Sequence, residues 1–401
     1  MSEIRRIIIT HHTHTDIGYT GIYPDVAIQH VRHLRTALDL CRADPRFRWT
    51  IEAGWPLDMF LSVASDGEKQ EMAEAIRRGQ IEVTGFYGQP LTQLCNLEEL
   101  CAHVELTRDL VQDLEAPIDT VMVNDIGGLS ANTPQVLRHY DIKHVVNGCG
   151  GWRVMMPFTT LPHLFRLTGP DGSRVLFYQI KDDEQDRQEG LGPAQYGFGG
   201  LYFLAPMLRE LDIREARSGD DLQRAASELQ GREGIDTLLS RLERQGYPYD
   251  TMLMQLGSDN NGPNPRLMEA VDLWNRRYGS PAIELGTCHD FFEAIEAQYA
   301  DDIPVLEGEL TCSWSEHAIT YSRATGVYRR AKLGLQRWAS LAACHSTPYA
   351  ESVDRFQETI RQLAFFSDHT FGLSMWSWLE KVEEYGGLFH DAFDLARESW
   401  A

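Results

Sequence analysis

Apolar and polar positions along the first 300 residues follow two alternating periods. Short apolar runs, typical of buried strands, are separated by longer segments in which apolar positions recur with the period of a helix. Because such strands are apolar on both faces, the pattern predicts a parallel α/β sheet or a closed β/α barrel. The predicted strands are 4–10, 48–52, 81–86, 120–124, 144–147, 252–256 and 282–285. The predicted helices between them include 25–41, 97–114, 134–139 and 265–277.

Other segments depart from this alternation. The runs 164–167 and 174–179 flank the turn sequence GPDGS, which predicts a β-hairpin. Residues 181–219 are rich in Gly, Asp, Glu and Gln and have little periodicity, so we expect a long surface or active-site loop. After about residue 300, two long helical patterns follow, at 321–343 and 353–366. The expected domains are therefore an α/β catalytic unit over 1–300 and a helical unit over 301–401.

Composition and charge narrow the range of partners. The formal net charge of −22 argues against nucleic acid and anionic membrane, because phosphate binding requires a basic surface. Seven cysteines without a Cys-x-x-Cys pair indicate neither a disulfide framework nor a cysteine zinc finger. The N-terminus carries no apolar signal segment, and no apolar run is long enough to span a bilayer. We therefore expect a cytoplasmic protein with a neutral or cationic substrate; a homo-oligomer stays open.

The most informative segment is THHTHTD at 10–16, directly after an apolar strand. Alternate residues of an extended chain share a face, so His12, His14 and Asp16 are expected to point the same way. Imidazole and carboxylate together suit zinc, and strand ends are where chemistry collects in α/β proteins. The alternative is a polar strand end whose histidines bind neighbouring loops.

After each of two further predicted strands, an acidic residue lies in a glycine-containing loop. Asp125 follows an apolar strand and precedes two glycines, and Asp259 lies in the small-residue loop GSDNNGP. Either acid has a structural alternative: Asp125 as a helix cap and Asp259 as the start of an Asx-turn. His317 beside Glu316, near the start of the helical unit, does not by itself indicate a metal site.

Taken together, four segments resemble, in the same order, the motifs of glycoside hydrolase family 38, the α-mannosidases. Residues 14–19 (HTDIGY) are similar to the family's His-x-Asp-x-Gly-Trp, 125–130 (DIGGLS) to Asp-Pro-Phe-Gly-His-Ser, 257–259 (GSD) to Gly-Asp-Asp, and 317–321 (HAITY) to His-x-Gly-Thr-Tyr. The resemblance extends from residue 4 to about 340. It implies a seven-stranded β/α barrel followed by a helical bundle. The family's large C-terminal β domain has no counterpart before Ala401, so the chain is either a minimal member or a piece of something longer.

The resemblance also implies site residues. Zinc would be bound by His14, Asp16, Asp125 and His317, with His12 behind them. Asp125 would be the nucleophile and Asp259 the acid/base of a retaining hydrolase of α-linked sugars, above all α-mannosides. A retaining mechanism needs two carboxyl groups roughly 5 Å apart.

The expected protonation states follow from these roles. The cation would keep the pKa of Asp125 low, and Asp259, in a drier loop, would need a raised pKa. The metal would orient sugar hydroxyls more than ionise water. Trp55, Tyr87, Trp314 and Tyr321 are candidates for stacking on the sugar, although aromatic side chains of this kind are equally expected in a core.

Other classes of protein use similar residues. Metallo-β-lactamase hydrolases share His-x-His-x-Asp but require a His where Ile17 stands. Polysaccharide deacetylases bind zinc through one Asp and two His, and their zinc activates water directly. A non-catalytic protein that holds zinc and a sugar is the third alternative, although both Asp125 and Asp259 are present.

Overall fold

The part of the chain that the structure describes contains ten β-strands, and several of them end at the candidate site. The computed structural model describes residues 4–18, 20–126, 128–148, 161–180, 199–215, 231–310, 322–344 and 350–370. Within them the strands are β1 (Arg6–His11), β2 (Trp49–Ile51), β3 (Ile81–Val83), β4 (Thr120–Asn124), β5 (His144–Gly148), β6 (Leu164–Thr168), β7 (Arg174–Ile180), β8 (Thr251–Leu256), β9 (Ala282–Gly286) and β10 (Val305–Glu307). All seven predicted strands and the predicted hairpin are found.

Helices connect and cover these strands. They are α1 (Tyr23–Ala43), α2 (Gly54–Val63), α3 (Asp66–Arg77), α4 (Leu97–Val111), α5 (Thr133–His139), α6 (Ala205–Glu215), α7 (Gly231–Arg244), α8 (Leu267–Arg277), α9 (Cys288–Tyr299), α10 (Ser322–Cys344) and α11 (Ala350–Ser367). Three of them, α3, α4 and α9, begin at capping boxes, in which a polar side chain and an acid three residues later satisfy the first backbone N–H groups. The predicted mixed α/β class is confirmed.

The closed barrel expected from the sequence is not found in the described residues. Their strands form three sheets, ordered β8-β1-β9, β10-β6-β7-β5-β4 and β2-β3. β9 pairs with β1 from Arg6 to Thr10 and so occupies the edge that β2 would need. β2 reaches β1 only beyond that point, through a single bridge between His12 and Thr50. The hydrogen bond from Gly85 N to Thr120 O (2.9 Å) links β3 to β4 in a similar way.

The predicted loop at 181–219 is wrong where the structure describes it. Residues 199–204 form a π-helical turn that continues into α6. Tyr202, Phe203 and Met207 from this stretch are buried in the main core, and burial of such side chains outweighs the weak periodicity of the sequence. The parts of the prediction at 181–198 and 216–219 lie outside the described residues.

The described residues beyond 310 form two helices that pack on each other. Trp338 of α10 stacks on Phe356 of α11, and Tyr328 stacks on Phe366. After α11 the chain lies antiparallel to 89–91: Leu91 N donates to Ser367 O (2.7 Å) and His369 N to Gln89 O (3.0 Å). This short pairing brings residues 367–370 to the ends of the strands.

Strand structure extends beyond residue 300, as far as Glu307, because β10 pairs with β6.

None of the described helices is both long enough and apolar enough to cross a lipid bilayer.

The strand β1 is expected to carry much of the stability of the fold. Ile8 is fully buried between β8 and β9. We expect Ile8→Ala to lower the free energy of unfolding by about 2–5 kcal/mol, because it removes buried methyl groups and leaves a cavity. Urea denaturation measures this. Ile28→Ala is the matched control, since Ile28 is 52% exposed and should change stability by less than about 0.5 kcal/mol. Equal effects of the two changes would contradict the assigned burial.

Candidate metal centre and active site

The candidate site lies where several strands end. β1 and β8 run parallel and stop at His11 and Leu256, so the segments 12–16 and 257–260 leave the sheet side by side. His14 N donates to Ser258 O (3.1 Å), and Asn260 N donates to His14 O (2.9 Å). The hydrogen bond from Asn124 Nδ2 to Glu52 joins the ends of β4 and β2 to the same region.

Three potential ligand atoms converge there. His14 Nε2 lies 3.0 Å from His369 Nε2. Asp16 Oδ1 lies 3.2 Å from the first of these nitrogens and 3.3 Å from the second. All three residues are buried. Around a tetrahedral zinc with bonds of about 2.0–2.1 Å, ligand atoms lie about 3.3 Å apart, so this spacing suits one ion.

The surroundings of Nδ1 in His14 and His369 indicate that the three converging ligand atoms need a positive charge between them. His14 Nδ1 lies 3.2 Å from both carboxylate oxygens of Glu52, and His369 Nδ1 lies 3.6 Å from Asp368 Oδ1. A carboxylate on that side favours a proton on Nδ1 and leaves Nε2 with its lone pair. Two such lone pairs and a carboxylate oxygen repel one another unless protons or a cation lie between them. The donor set of two imidazoles and one carboxylate fits zinc.

Without a cation, protons would supply that charge. Burial opposes ionisation of His14, but Glu52 and Asp16 outweigh it and raise the pKa of His14 well above its usual value. For His369, burial is outweighed by contacts with Asp16 and Asp368, which raise its pKa to about 9. Burial would raise the pKa of Asp16, yet the adjacent imidazoles lower it below its usual range. The site is thus built for positive charge.

His369 was missed by sequence reasoning. It follows the predicted helix 353–366 in the segment SDHT, and a polar Asp-His pair directly after a helix was the available signal. Asp368 holds this segment in place: its Oδ2 accepts from Gln89 N (2.9 Å) and its Oδ1 from Thr370 N (2.9 Å). His317, the histidine expected in this position, lies outside the described residues.

Asp125 lies beside the three ligand atoms. Its Oδ2 is 3.8 Å from His369 Nε2. Its φ of 64° is in the left-handed region, and Asn147 Nδ2 supports the turn by donating to Ile126 O (2.9 Å). Burial raises the pKa of Asp125 to about 6, although His14 and His369 act in the opposite direction. With no cation beside it, the pKa of Asp125 is thus raised, whereas the sequence led us to expect a low value held down by a metal.

Asp259 is exposed, not in the drier loop that was expected. Its neighbour Asn260 is buried and fixes the backbone of the loop: Asn260 Nδ2 donates to Asp16 O (2.8 Å), and Asp16 N donates to Asn260 Oδ1 (3.1 Å). The charge of Asp259 contributes to the raised pKa of Asp125, so the two carboxylates are close enough to interact.

The other two histidines of the opening segment lie behind the ligand atoms. His12 Nε2 is 3.2 Å from Asn124 Nδ2 and 3.8 Å from Glu52 Oε1. His11 contacts Leu256 O through Nδ1 (2.8 Å) and accepts from Asn264 N through Nε2 (2.9 Å). His11 therefore fixes the loop after β8.

The aromatic candidates divide into two groups. Trp55 and Tyr87 are buried in a cluster with Ile17, and their polar atoms bind Tyr23 (3.4 Å) and Asp58 (2.6 Å). With their faces covered by protein, these two side chains are core residues and cannot stack on a sugar in this conformation. Trp314 and Tyr321 lie outside the described residues.

Comparisons with known proteins identify the family and the fold of the chain. Residues 5–309 match the glycosyl hydrolases family 38 N-terminal domain. No curated protein matches. Among solved structures, an α-mannosidase from Enterococcus faecalis superposes with a TM-score of 0.67 at 17% identity, over 98% of this chain and 42% of that one.

Two other solved structures have a similar fold. A glycosyl hydrolase family 38 protein from Enterococcus faecalis gives a TM-score of 0.58 at 15% identity, over 100% of this chain and 40% of that one. A family 57 branching enzyme from Thermococcus kodakaraensis gives a TM-score of 0.53 at 11% identity, over 99% of this chain and 89% of that one. The chain thus spans about two fifths of the length of the two Enterococcus proteins. The family match covers most of the chain, and the chain belongs to glycoside hydrolase family 38.

Proposed function

We propose that the chain carries the catalytic site of a zinc-dependent retaining glycoside hydrolase that acts on α-linked sugars, above all α-mannosides. One observation carries the proposal: His14, Asp16 and His369 bring three ligand atoms within 3.3 Å of one another, beside the partly buried carboxylate of Asp125. Membership of family 38 supports glycoside hydrolysis, and the similarity to an α-mannosidase from Enterococcus faecalis suggests α-mannosides.

His14, Asp16 and His369 would hold the metal, with Asp125 at its edge. A bound zinc would supply positive charge and a coordination position for substrate hydroxyls. The carboxylates of Asp16 and Asp125 would largely neutralise the charge of such an ion. The ion would therefore orient the sugar hydroxyls more than ionise a water molecule. His317 stays a predicted ligand from the sequence, and Trp314 and Tyr321 stay predicted sugar contacts.

Asp125 is the proposed nucleophile. It projects from a strand end that Asn147 supports, and its left-handed backbone turns the carboxylate towards the imidazole of His369. Its ionised form would attack the anomeric carbon, and the carboxyl–sugar ester formed would then be hydrolysed by water. Burial raises the pKa of Asp125 to about 6, and a positive charge nearby would lower that pKa and increase the ionised fraction near neutral pH.

Asp259 is the proposed acid/base. Its exposed position lets the leaving group depart towards solvent, and a bound sugar would have to supply the dry surroundings that a raised pKa requires. Asp259 would donate its proton in the first step and accept one from water in the second. With both carboxylates near one sugar, Asp125 would attack the anomeric carbon while Asp259 protonates the glycosidic oxygen, and the bond between that carbon and that oxygen breaks.

A panel of nitrophenyl α- and β-glycosides tests this function. We expect zinc-loaded protein to cleave α-mannoside fastest, with retention at the anomeric carbon by NMR. Chelation should reduce the rate more than about 100-fold, because the sugar loses its orienting charge and Asp125 becomes harder to ionise. Re-addition of zinc is the control.

Other outcomes of the panel would contradict the proposal. Release of acetate from acetylated sugars without glycoside cleavage would indicate a deacetylase. Sugar binding without turnover of any substrate would indicate a non-catalytic protein. Inversion at the anomeric carbon would exclude the two-step mechanism.

A further inference from the structure

We propose that Glu52 is a positioning residue that holds His14 and the strand ends in the geometry needed for metal binding. The inference rests on the proposed metal site and adds a residue that none of the sequence motifs contains. Glu52 directly follows β2, is 1% exposed and lies among four polar groups from two other strand ends.

The contacts of Glu52 with the first strand end define the orientation of His14. Both carboxylate oxygens lie 3.2 Å from His14 Nδ1. Oε2 also accepts from Thr15 N at 2.6 Å. Thr15 separates the two ligand residues His14 and Asp16, so a single carboxylate fixes both the ring of one and the backbone that leads to the other.

The remaining contacts reach the strand end that bears Asp125. Asn124 Nδ2 donates to Glu52 Oε1, and His12 Nε2 lies 3.8 Å from the same oxygen. Asn124 is the last residue of β4 and directly precedes Asp125. Glu52 therefore ties together the ends of β1, β2 and β4.

Electrostatics gives Glu52 a second effect. An anion next to Nδ1 keeps the proton there, so that Nε2 presents its lone pair towards Asp16 and His369. A glutamine in this place has one acceptor oxygen and an amide that only donates. It cannot accept from His14 Nδ1, Thr15 N and Asn124 Nδ2 together, and its own N–H groups would face other donors.

The experiment compares Glu52→Gln with wild type in the full chain. We expect zinc affinity, measured against a competing chelator, to fall about 10–100-fold, as for other groups that hold a metal-binding histidine. Cobalt(II) spectra should change as well, because the ring of His14 is no longer held.

Glu82→Gln is the matched control. Glu82 is on β3, next to β2, and its carboxylate accepts from Thr50 Oγ1 (2.9 Å), Cys288 N (2.9 Å) and His289 N (3.0 Å), remote from the ligand atoms. The Glu82→Gln variant loses hydrogen bonds of the same kind. We expect its free energy of unfolding to fall while its zinc affinity stays within about 2-fold of wild type.

The outcomes separate this inference from the proposed function. If wild type binds no zinc, both are wrong. If wild type binds zinc and Glu52→Gln binds it equally tightly, or if both variants lose affinity equally, only the role of Glu52 is wrong. Should Glu52→Gln fail to fold, the imidazole ¹⁵N spectrum of zinc-loaded wild type decides, with the His14 signals assigned from His14→Gln. A proton on Nε2 of His14 would overturn the proposed ligand set, whereas an Nδ1 of His14 without a proton would overturn only the role of Glu52.

Discussion

Asp125→Asn is expected to reduce hydrolysis of every glycoside by about 10⁴-fold or more, whatever the leaving group. The amide has nearly the same shape but cannot act as a nucleophile. Asparagine tolerates the left-handed backbone at this position, so the fold should survive. Initial rates on nitrophenyl and dinitrophenyl mannosides measure the effect. Asp141→Asn is the matched control, because Asp141 has a similar φ of 61° and lies outside the site.

Asp259→Asn is expected to give a different pattern. A lost acid slows poor leaving groups by about 10²–10⁴-fold, whereas activated dinitrophenyl glycosides need little protonation and should be cleaved well. The ratio of the two rates therefore distinguishes nucleophile from acid/base. An Asp125→Asn enzyme that still turns over would refute the assignment, as would an equal loss on both substrates for Asp259→Asn.

His369→Ala and His14→Ala should each lose zinc affinity by more than about 10³-fold. Each removes a direct ligand atom, which costs more than the 10–100-fold typical of residues behind the ligands. Elemental analysis and chelator competition measure the loss. His103→Ala is the control. His103 is buried, and its Nε2 lies 3.0 Å from Oγ of Ser367, two residues before His369, but His103 is not one of the three candidate ligands.

His317→Ala in the same experiment tests the ligand that the family resemblance implies. If His369 supplies the second imidazole alone, this variant keeps its zinc. Full zinc content in His369→Ala, together with its loss in His317→Ala, would show that the ligand set read from the strand ends is wrong.

The local part of the site could be predicted from the sequence. His14 and Asp16 follow an apolar strand at alternate positions, and an extended chain brings such residues to one side. His369 could not be found this way, because it meets His14 across 355 residues of chain. Glu52 was hidden for a related reason: it directly follows a strand of three residues whose pattern resembles any other buried strand.

The sheet arrangement was predictable only in outline. Strand positions depend on local apolar patterns, and all seven predicted strands were found. Pairing depends on which strand occupies each edge, and the sequence of β9 does not indicate that it lies along β1. For the same reason a helix at 199–215 was read as a loop: its burial depends on partners far away in the chain.

The distance along the chain between His14 and His369 has a consequence for biosynthesis. Chains emerge from the ribosome N-terminus first, so all ten described strands and both candidate carboxylates are exposed to the cell before residue 369. Until then an incoming ion meets only one imidazole of the pair and is held weakly. If zinc is bound as proposed, its capture is therefore expected late in the production of this protein, and a nascent chain that stalls before residue 369 is expected to fold its sheets without retaining zinc.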